Sequence, residues 1–273
     1  NLSKRTIDYG YARSKGEQSS KKMEAKKIII TGAATRIGAA IARALANFDT
    51  KFLLHYNKSS IQVKKLKKDL EQLGSEIFLL KSNLNNSKET QKIIPYAFSK
   101  MKGIDCLINN ASLFENDSIE NFNEKNFDKH ISINLKSPSI LSRDFYKYVN
   151  KKKGNIINII DQRIFKLTPH FLSYTLSKTG LGTLTKVSAM KFAPNVRVNG
   201  IAPGPTLKNK RQTEKHFKKQ WKATLLSKQV DLKNITNTVK FLIDNDNVTG
   251  QIIPVDSGQS LAWITPDIIN IKE

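Results

Sequence analysis

The chain has 273 residues, 39% of them hydrophobic, and a single cysteine. That is enough apolar material for one large α/β domain, and it excludes an internal disulfide framework. Its 46 lysines and arginines against 23 acids give a formal net charge of +23, but the lysines are scattered over the whole chain. That pattern fits a solvated basic surface better than a nucleic-acid face, and it is compatible with attracting an anionic cofactor.

The first 22 residues, NLSKRTIDYGYARSKGEQSSKK, are polar and aperiodic. They make a poor secretory signal, and a disordered tail is expected, followed by one Rossmann-type domain over 23–273. KKIIITG (26–32) reads as a fully apolar strand of the kind a parallel sheet buries on both faces. A helix is expected over roughly 37–47, a strand at 51–56 and an amphipathic helix at 60–74 closed by Gly74. The rhythm continues with a strand at 76–84, a helix near 87–101, a strand at 104–111, a helix around 121–149 and a strand at 154–161. A helix near 172–192, a strand at 196–204, a helix near 231–243 and a strand at 251–258 complete it. Seven strands alternating with helices predict a doubly wound, Rossmann-like α/β fold, a seven-stranded parallel sheet with helices on both faces. The charged insert PTLKNKRQTEKHFKKQW (205–221) is expected to form a loop and helix over the mouth of the site.

No apolar run approaches the roughly 20 residues needed to cross a bilayer. Cys106, within IDCLINNA, reads as a small buried core residue, and a chain with one cysteine fits a reducing cytoplasm. The four histidines stand far apart, so no metal site is expected.

Chemistry gathers at a few places. In TGAATRIG (31–38), Gly32 permits a tight bend after the first strand and Gly38 lets the following helix pack close. The helix N-terminus then offers N–H groups to a pyrophosphate. Arg36 stands where such turns usually carry glycine; a guanidinium can grip phosphate oxygens and still present donors to a flat ring. Tyr174 and Lys178, four apart on a predicted helix, share one face. Free tyrosine titrates near about 10, and a lysine cation beside it is expected to lower that by about 2, roughly 3 kcal/mol, giving a usable proton donor. The end of the second strand, HYNKSS (55–60), carries no acid for a ribose 2′-hydroxyl. Lys58 and Ser59, with Asn57 and His55, suit a 2′-phosphate instead, hence NADPH.

TGAATRIG, NNAS (109–112), IN (133–134), YTLSK (174–178) and VRVNGIAPGPT (196–206), in this order, resemble the short-chain dehydrogenase/reductase family. Arg36, Asp161 in place of the usual serine, and NNASLF (109–114) are similar to its pteridine-reductase branch. The resemblance implies a proton-transfer set of Asn134, Asp161, Tyr174 and Lys178, with Asn134 supporting the lysine through a water at a helix kink. It implies cofactor contacts from Gly32, Arg36, Ile37, Gly38, Asn57, Lys58, Ser59, Asn83, Leu84, Asn110, Ala111, Ser112, Lys178, Pro203, Gly204 and Thr206. Substrate contacts are implied for Arg36, Ser112, Phe114, Asp161, Tyr174 and Leu207, with Phe114 stacking on a flat ring and Phe217 and Trp221 at an apolar rim.

A carboxylate at 161 would repel a carbonyl oxygen gaining charge, but suits a C=N bond whose nitrogen must take a proton. The expectation is an NADPH-dependent reductase of a dihydropterin or dihydrofolate, acting as a homotetramer or homodimer with no membrane or nucleic-acid partner. Two other readings remain: a carbonyl reductase acting on 3-oxoacyl chains, and a non-catalytic cofactor- or RNA-binding protein.

Overall fold

The computed structural model describes residues 26–209 and 211–263. The expected tail, and the domain boundaries at Met23 and 273, lie outside them. The strands are β1 (Lys26–Ile30), β2 (Thr50–Tyr56), β3 (Glu76–Lys81), β4 (Cys106–Asn109), β5 (Gly154–Ile159), β6 (Val196–Pro203) and β7 (Ile252–Val255). They form one sheet in the order β3-β2-β1-β4-β5-β6-β7, every neighbouring pair parallel. Between β1 and β4 the chain order reverses, and there a doubly wound sheet opens a crevice at the carboxyl ends of its strands.

The helices are α1 (Arg36–Leu45), α2 (Ser60–Gln72), α3 (Ser87–Thr90), α4 (Ile93–Met101), α5 (Glu124–Ile131), α6 (Ser137–Val149), α7 (Leu172–Phe192), α8 (Glu214–Lys222) and α9 (Leu232–Asp244). Their apolar stripes bury both faces of the sheet. Ile28 and Ile30 of β1 join one core with Ile41 and Ala42 of α1, Val63, Leu66 and Leu70 of α2, and Ile235 and Val239 of α9. Ile29 points the other way, to Ile93 and Ala97 of α4, Leu141 and Phe145 of α6 and Ala189 of α7. An unbroken Ile-Ile-Ile run is what a strand covered on both sides needs. Cys106 lies in the first core, its thiol pushed up to about 12 by burial.

Two expected helices are interrupted, each near a proline. The one expected near 87–101 is split into α3 and α4, because Pro95 has no N–H for the carbonyl four residues back. Asn86 caps α3, accepting from the N–H groups of Lys88 and Glu89. The one expected around 121–149 begins at Glu124 and widens into a π turn over Ser132–Lys136. Pro138 cannot donate to the Asn134 carbonyl, and the π turn absorbs the misfit just before it. The insert forms α8 after a loop, as expected, with Phe217 buried beneath it. Among the described residues no helix is long and apolar enough to cross a membrane.

Gly38 lies in the first turn of α1, where a Cβ would sit 2.5 Å from the Gly32 carbonyl oxygen and 2.6 Å from Asn110 Nδ2. Gly38→Ala is therefore expected to destabilise the fold by about 1–3 kcal/mol through overpacking, read as a lower urea midpoint at unchanged m-value.

Candidate active site

The crevice is a cleft of about 1160 Å³. Its floor begins at the turn after β1. Gly32 takes φ +60°, and a Cβ there would lie 2.8 Å from Ala111 Cα. Thr31 Oγ1 accepts the N–H groups of Asn110 and Ala111, both at 3.0 Å. Asn110 Nδ2 donates to the Thr31 and Gly32 carbonyls, also at 3.0 Å. β1 and β4 are thus latched together where the sheet opens.

His55 lies behind this turn. Its Nδ1 accepts from Gly32 N–H at 3.1 Å, so Nε2 carries the proton and donates to the Ser82 carbonyl at 3.0 Å. Burial lowers its pKa to about 4. The expectation that His55 helps at a 2′-phosphate fails on this geometry: both ring nitrogens hold backbone, and the ring is neutral.

Arg36 adopts φ +55°, the left-handed region that explains why glycine is usual at this point of the turn. Its guanidinium lies in the cleft wall and donates to the Leu207 and Lys208 carbonyls at 3.1 and 2.9 Å. It therefore ties the first turn to the loop after β6, a bond the sequence reading did not foresee.

Most of the expected cofactor residues line the cleft: Gly32, Arg36, Ile37, Asn57, Lys58, Ser59, Asn83, Leu84, Asn110, Ala111, Ser112, Lys178, Pro203, Gly204 and Thr206. Gly38 does not reach it and acts by letting α1 pack behind the turn. Asn57 and Lys58 are exposed at one end, and Ser59 precedes α2 without spending its hydroxyl on a helix cap. Gly204 approaches Asp256 so closely that a Cβ would lie 2.6 Å from its Cα. Thr206 is held by Gln229, whose Nε2 donates to its carbonyl at 2.8 Å.

Asp161 and Tyr174 meet on the cleft floor. Tyr174 Oη donates to Asp161 Oδ2 at 2.8 Å, and Arg163 N–H donates to Asp161 Oδ1 at 2.9 Å. Burial raises the carboxyl above the ordinary carboxylate range, opposed by those two hydrogen bonds and by the charges of Arg163 and Lys178. The phenol is held well above its usual value, by burial first and then by the Asp161 carboxylate. This corrects the expectation that Lys178 lowers the phenol toward neutrality. Lys178 Nζ donates to the Ile159 carbonyl at 2.8 Å, and burial lowers its own pKa to about 8.

Asn134, fully buried in the π turn, does not line the cleft. Its Oδ1 accepts from Leu113 N–H at 2.8 Å and its Nδ2 donates to the Leu113 carbonyl at 2.9 Å and to Ser177 Oγ at 3.0 Å. Its direct partners are thus the loop after β4 and helix α7, with no hydrogen bond to Lys178. Ser112 Oγ donates to Asn134 Oδ1 at 3.3 Å.

Phe114 stacks on Phe171 at 4.5 Å between centroids and meets the Tyr174 ring edge-on at 4.6 Å. The Arg163 guanidinium lies 4.7 Å from the Phe171 centroid, and that of Arg211 lies 5.1 Å from Phe114. Phe171, Arg163 and Arg211 were absent from the sequence reading. Phe171 could have been noticed three residues before Tyr174 and Arg163 two after Asp161; nothing local marks Arg211 in a lysine-rich insert. Asp117 was also missed: its buried carboxylate accepts from both the N–H and the hydroxyl of Ser173, and its carbonyl accepts from Phe171 N–H at 2.7 Å. It anchors the start of α7 and hence Tyr174. Leu207 and Phe217 line the cleft, whereas Trp221 faces a separate groove beside Lys215 and Lys218.

The short chain dehydrogenase family model matches residues 26–220. Among solved structures, FolM alternative dihydrofolate reductase 1 from Brucella canis, complexed with NADP, is 37% identical with a TM-score of 0.86. That match covers 90% of this chain and 98% of that one. The protein of the same name from Brucella suis, also with NADP, is 36% identical with a TM-score of 0.85, covering 89% and 98%. The 3-oxoacyl-[acyl-carrier-protein] reductase FabG of Rickettsia typhi is 32% identical over 85% of this chain and 96% of its own length.

The neutral His55 predicts an acid-side weakness. An unfolded histidine binds a proton below about 6.5, whereas the folded one resists until about 4, so its contribution to stability, present above 6.5, is lost as pH falls through that window. Urea unfolding from pH 7 to 4 should show a loss attributable to His55 of about 3 kcal/mol at most. His55→Asn should be less stable at pH 7 and flatter across the window; an equal slope in both proteins would refute the assignment.

Proposed function

Since this chain belongs to the short-chain dehydrogenase family and is therefore an oxidoreductase, we propose that it uses NADPH to reduce a C=N bond in a pteridine-like ring, a dihydropterin or dihydrofolate. The observation that carries this reading is the 2.8 Å hydrogen bond from Tyr174 to Asp161 on the cleft floor. A ketone reductase stabilises an oxygen that gains negative charge, and a carboxylate at that point opposes it. Reduction of C=N needs a proton at nitrogen instead.

The cleft suits a nicotinamide dinucleotide phosphate. Gly32 leaves no Cβ between the turn and Ala111. The segment Asn57–Ser59 offers an ammonium, an amide and a hydroxyl, with no acid to repel a 2′-phosphate. The Brucella FolM proteins, similar to this chain over nine-tenths of its length, are complexed with NADP. When bound, the coenzyme supplies hydride to the ring carbon.

The protein's own groups do the rest. Tyr174 and Asp161 share a proton in a site that disfavours ionising both. That proton goes to the ring nitrogen as the adjacent carbon becomes saturated, and solvent reprotonates the pair. The raised phenol is no handicap, since the group must stay protonated until the substrate takes its proton. Lys178 holds a positive charge beneath the cleft floor and orients the ribose hydroxyls. Asn134 and Asp117 fix the loop after β4 and the start of α7 around them. Arg36, Ser112, Phe114 and Leu207 bound the ring.

Leu176, Val187 and Met190 form an exposed apolar stripe along α7, which supports assembly as a homodimer or homotetramer through α7 and the α5–α6 pair.

With NADPH, the protein should reduce 7,8-dihydropterins or 7,8-dihydrofolate faster than a 3-oxoacyl thioester. Asp161→Ser should lower pterin kcat about 100-fold or more while NADPH still binds by fluorescence titration. Pterin turnover that survives this change, or a wild-type preference for the ketone, would sink the reading and favour a carbonyl reductase like FabG. Light scattering should give a dimer or tetramer that dissociates in Val187→Lys/Met190→Lys; a monomeric wild type refutes the assembly.

A further inference from the structure

The cleft lining carries far more positive than negative charge. Among the described lining residues Asp161 is the sole carboxylate, against Arg36, Lys58, Arg163, Lys178 and Arg211. Three of those cations are accounted for. Arg36 is tied to the Leu207 and Lys208 carbonyls, Lys58 stands at the 2′-phosphate end, and Lys178 is bonded to Ile159. Arg163, whose charge also acts on the Asp161 carboxyl, and Arg211 remain, and both gather at the end where Tyr174 stands.

They come from separate segments, the turn after β5 and the insert before α8, yet they converge on one aromatic pair. Arg163 lies 4.7 and 5.9 Å from the Phe171 and Phe114 centroids; Arg211 lies 5.4 and 5.1 Å from the same two. Each is also pinned by a hydrogen bond, Arg163 Nη1 to Thr168 Oγ1 at 3.1 Å and Arg211 Nη2 to the Phe114 carbonyl at 3.3 Å. Neither forms an ion pair among the described residues. Two like charges held over the same rings repel each other, and the cation–π attraction of each to a phenyl face offsets this only in part. A planar oxyanion relieves the repulsion and matches the fork of a guanidinium.

Resting on the NADPH–pteridine reading, we propose that Arg163 and Arg211 are a clamp for a carboxylate on the substrate's tail, and that Phe114 and Phe171 form the apolar wall along which the tail leaves the reacting ring. The preferred substrate class is then a reduced pteridine with an aryl tail ending in carboxylates, the folate type, over a pterin with a short uncharged tail.

The test compares 7,8-dihydrofolate with 6-methyl-7,8-dihydropterin under NADPH. Wild-type kcat/KM should favour dihydrofolate, chiefly through KM, and the preference should shrink as salt is raised from 20 to 500 mM. In Arg163→Gln/Arg211→Gln the ratio of the two kcat/KM values should fall about 10-fold or more; Arg211→Lys, which keeps the charge without the fork, should fall between. Separately, p-aminobenzoylglutamate, the tail alone, should bind the NADP-loaded wild-type protein in calorimetry and bind the double variant at least 10-fold more weakly. An unchanged ratio, or no binding of the tail at millimolar concentration to the wild type, overturns the clamp. If neither pteridine is reduced while the tail binds wild type and not the variant, the pteridine reading fails and the clamp stands.

Discussion

A buried phenol and a partly buried carboxyl 2.8 Å apart on the cleft floor cannot both give up their protons cheaply. Around Asp161 and Tyr174 that constraint orders the rest of the site. Burial pushes both groups toward their protonated forms; the carboxylate makes the phenol harder still to ionise, while the phenol's hydrogen bond favours the carboxylate. The usual problem for a tyrosine acid is to make it acidic enough; here the surroundings hold the phenol in its protonated form. Lys178 is accordingly turned toward the Ile159 carbonyl, where it contributes charge to the floor without seizing the phenol oxygen.

Holding two side chains from different segments to that distance takes a frame, and the frame is built from buried polar groups with committed partners. Asp161 follows β5, while Tyr174 rides on α7, whose start is anchored by Asp117. Asn134 braces the loop after β4 against the same helix through Leu113 and Ser177. At the other end of the cleft, Thr31, Asn110 and His55 fix the first turn by the same means. These are hydrogen bonds away from bulk water, where an unmade partner costs more than a made one gains, so the frame is defined sharply.

What could be read from the chain alone followed from periodicity and from short spacings. Ile28, Ile29 and Ile30 announced a strand covered on both faces, and the alternation of such runs with amphipathic stretches gave the parallel sheet. Tyr174 and Lys178 were visible because four residues is one helical turn, and Asp161 because the family resemblance sets it where a serine is usual. What escaped was set by contacts remote in sequence. Arg211 reaches Phe114 across 97 positions, and nothing local sets it apart in a lysine-rich insert; Arg36 is marked by its place in the turn, but its bond to Lys208 spans 172 positions. The direction of the Tyr174 shift was misjudged for a related reason: one helical turn shows that Lys178 shares a face with the phenol, but not which oxygen its ammonium chooses. The interruptions at Pro95 and Pro138 were legible in principle, since proline removes a donor wherever it stands.

Cys106 has a practical corollary. The chain's sole sulfhydryl is walled into the sheet interior and holds its hydrogen up to about pH 12, so alkylating dyes and mild oxidants have no thiolate to attack while the fold is intact. A new cysteine placed on the exposed side of α8, at Lys218 for example, becomes a unique labelling handle on the native molecule. A fluorophore there reports on the surroundings of the insert beside the crevice without first stripping the background.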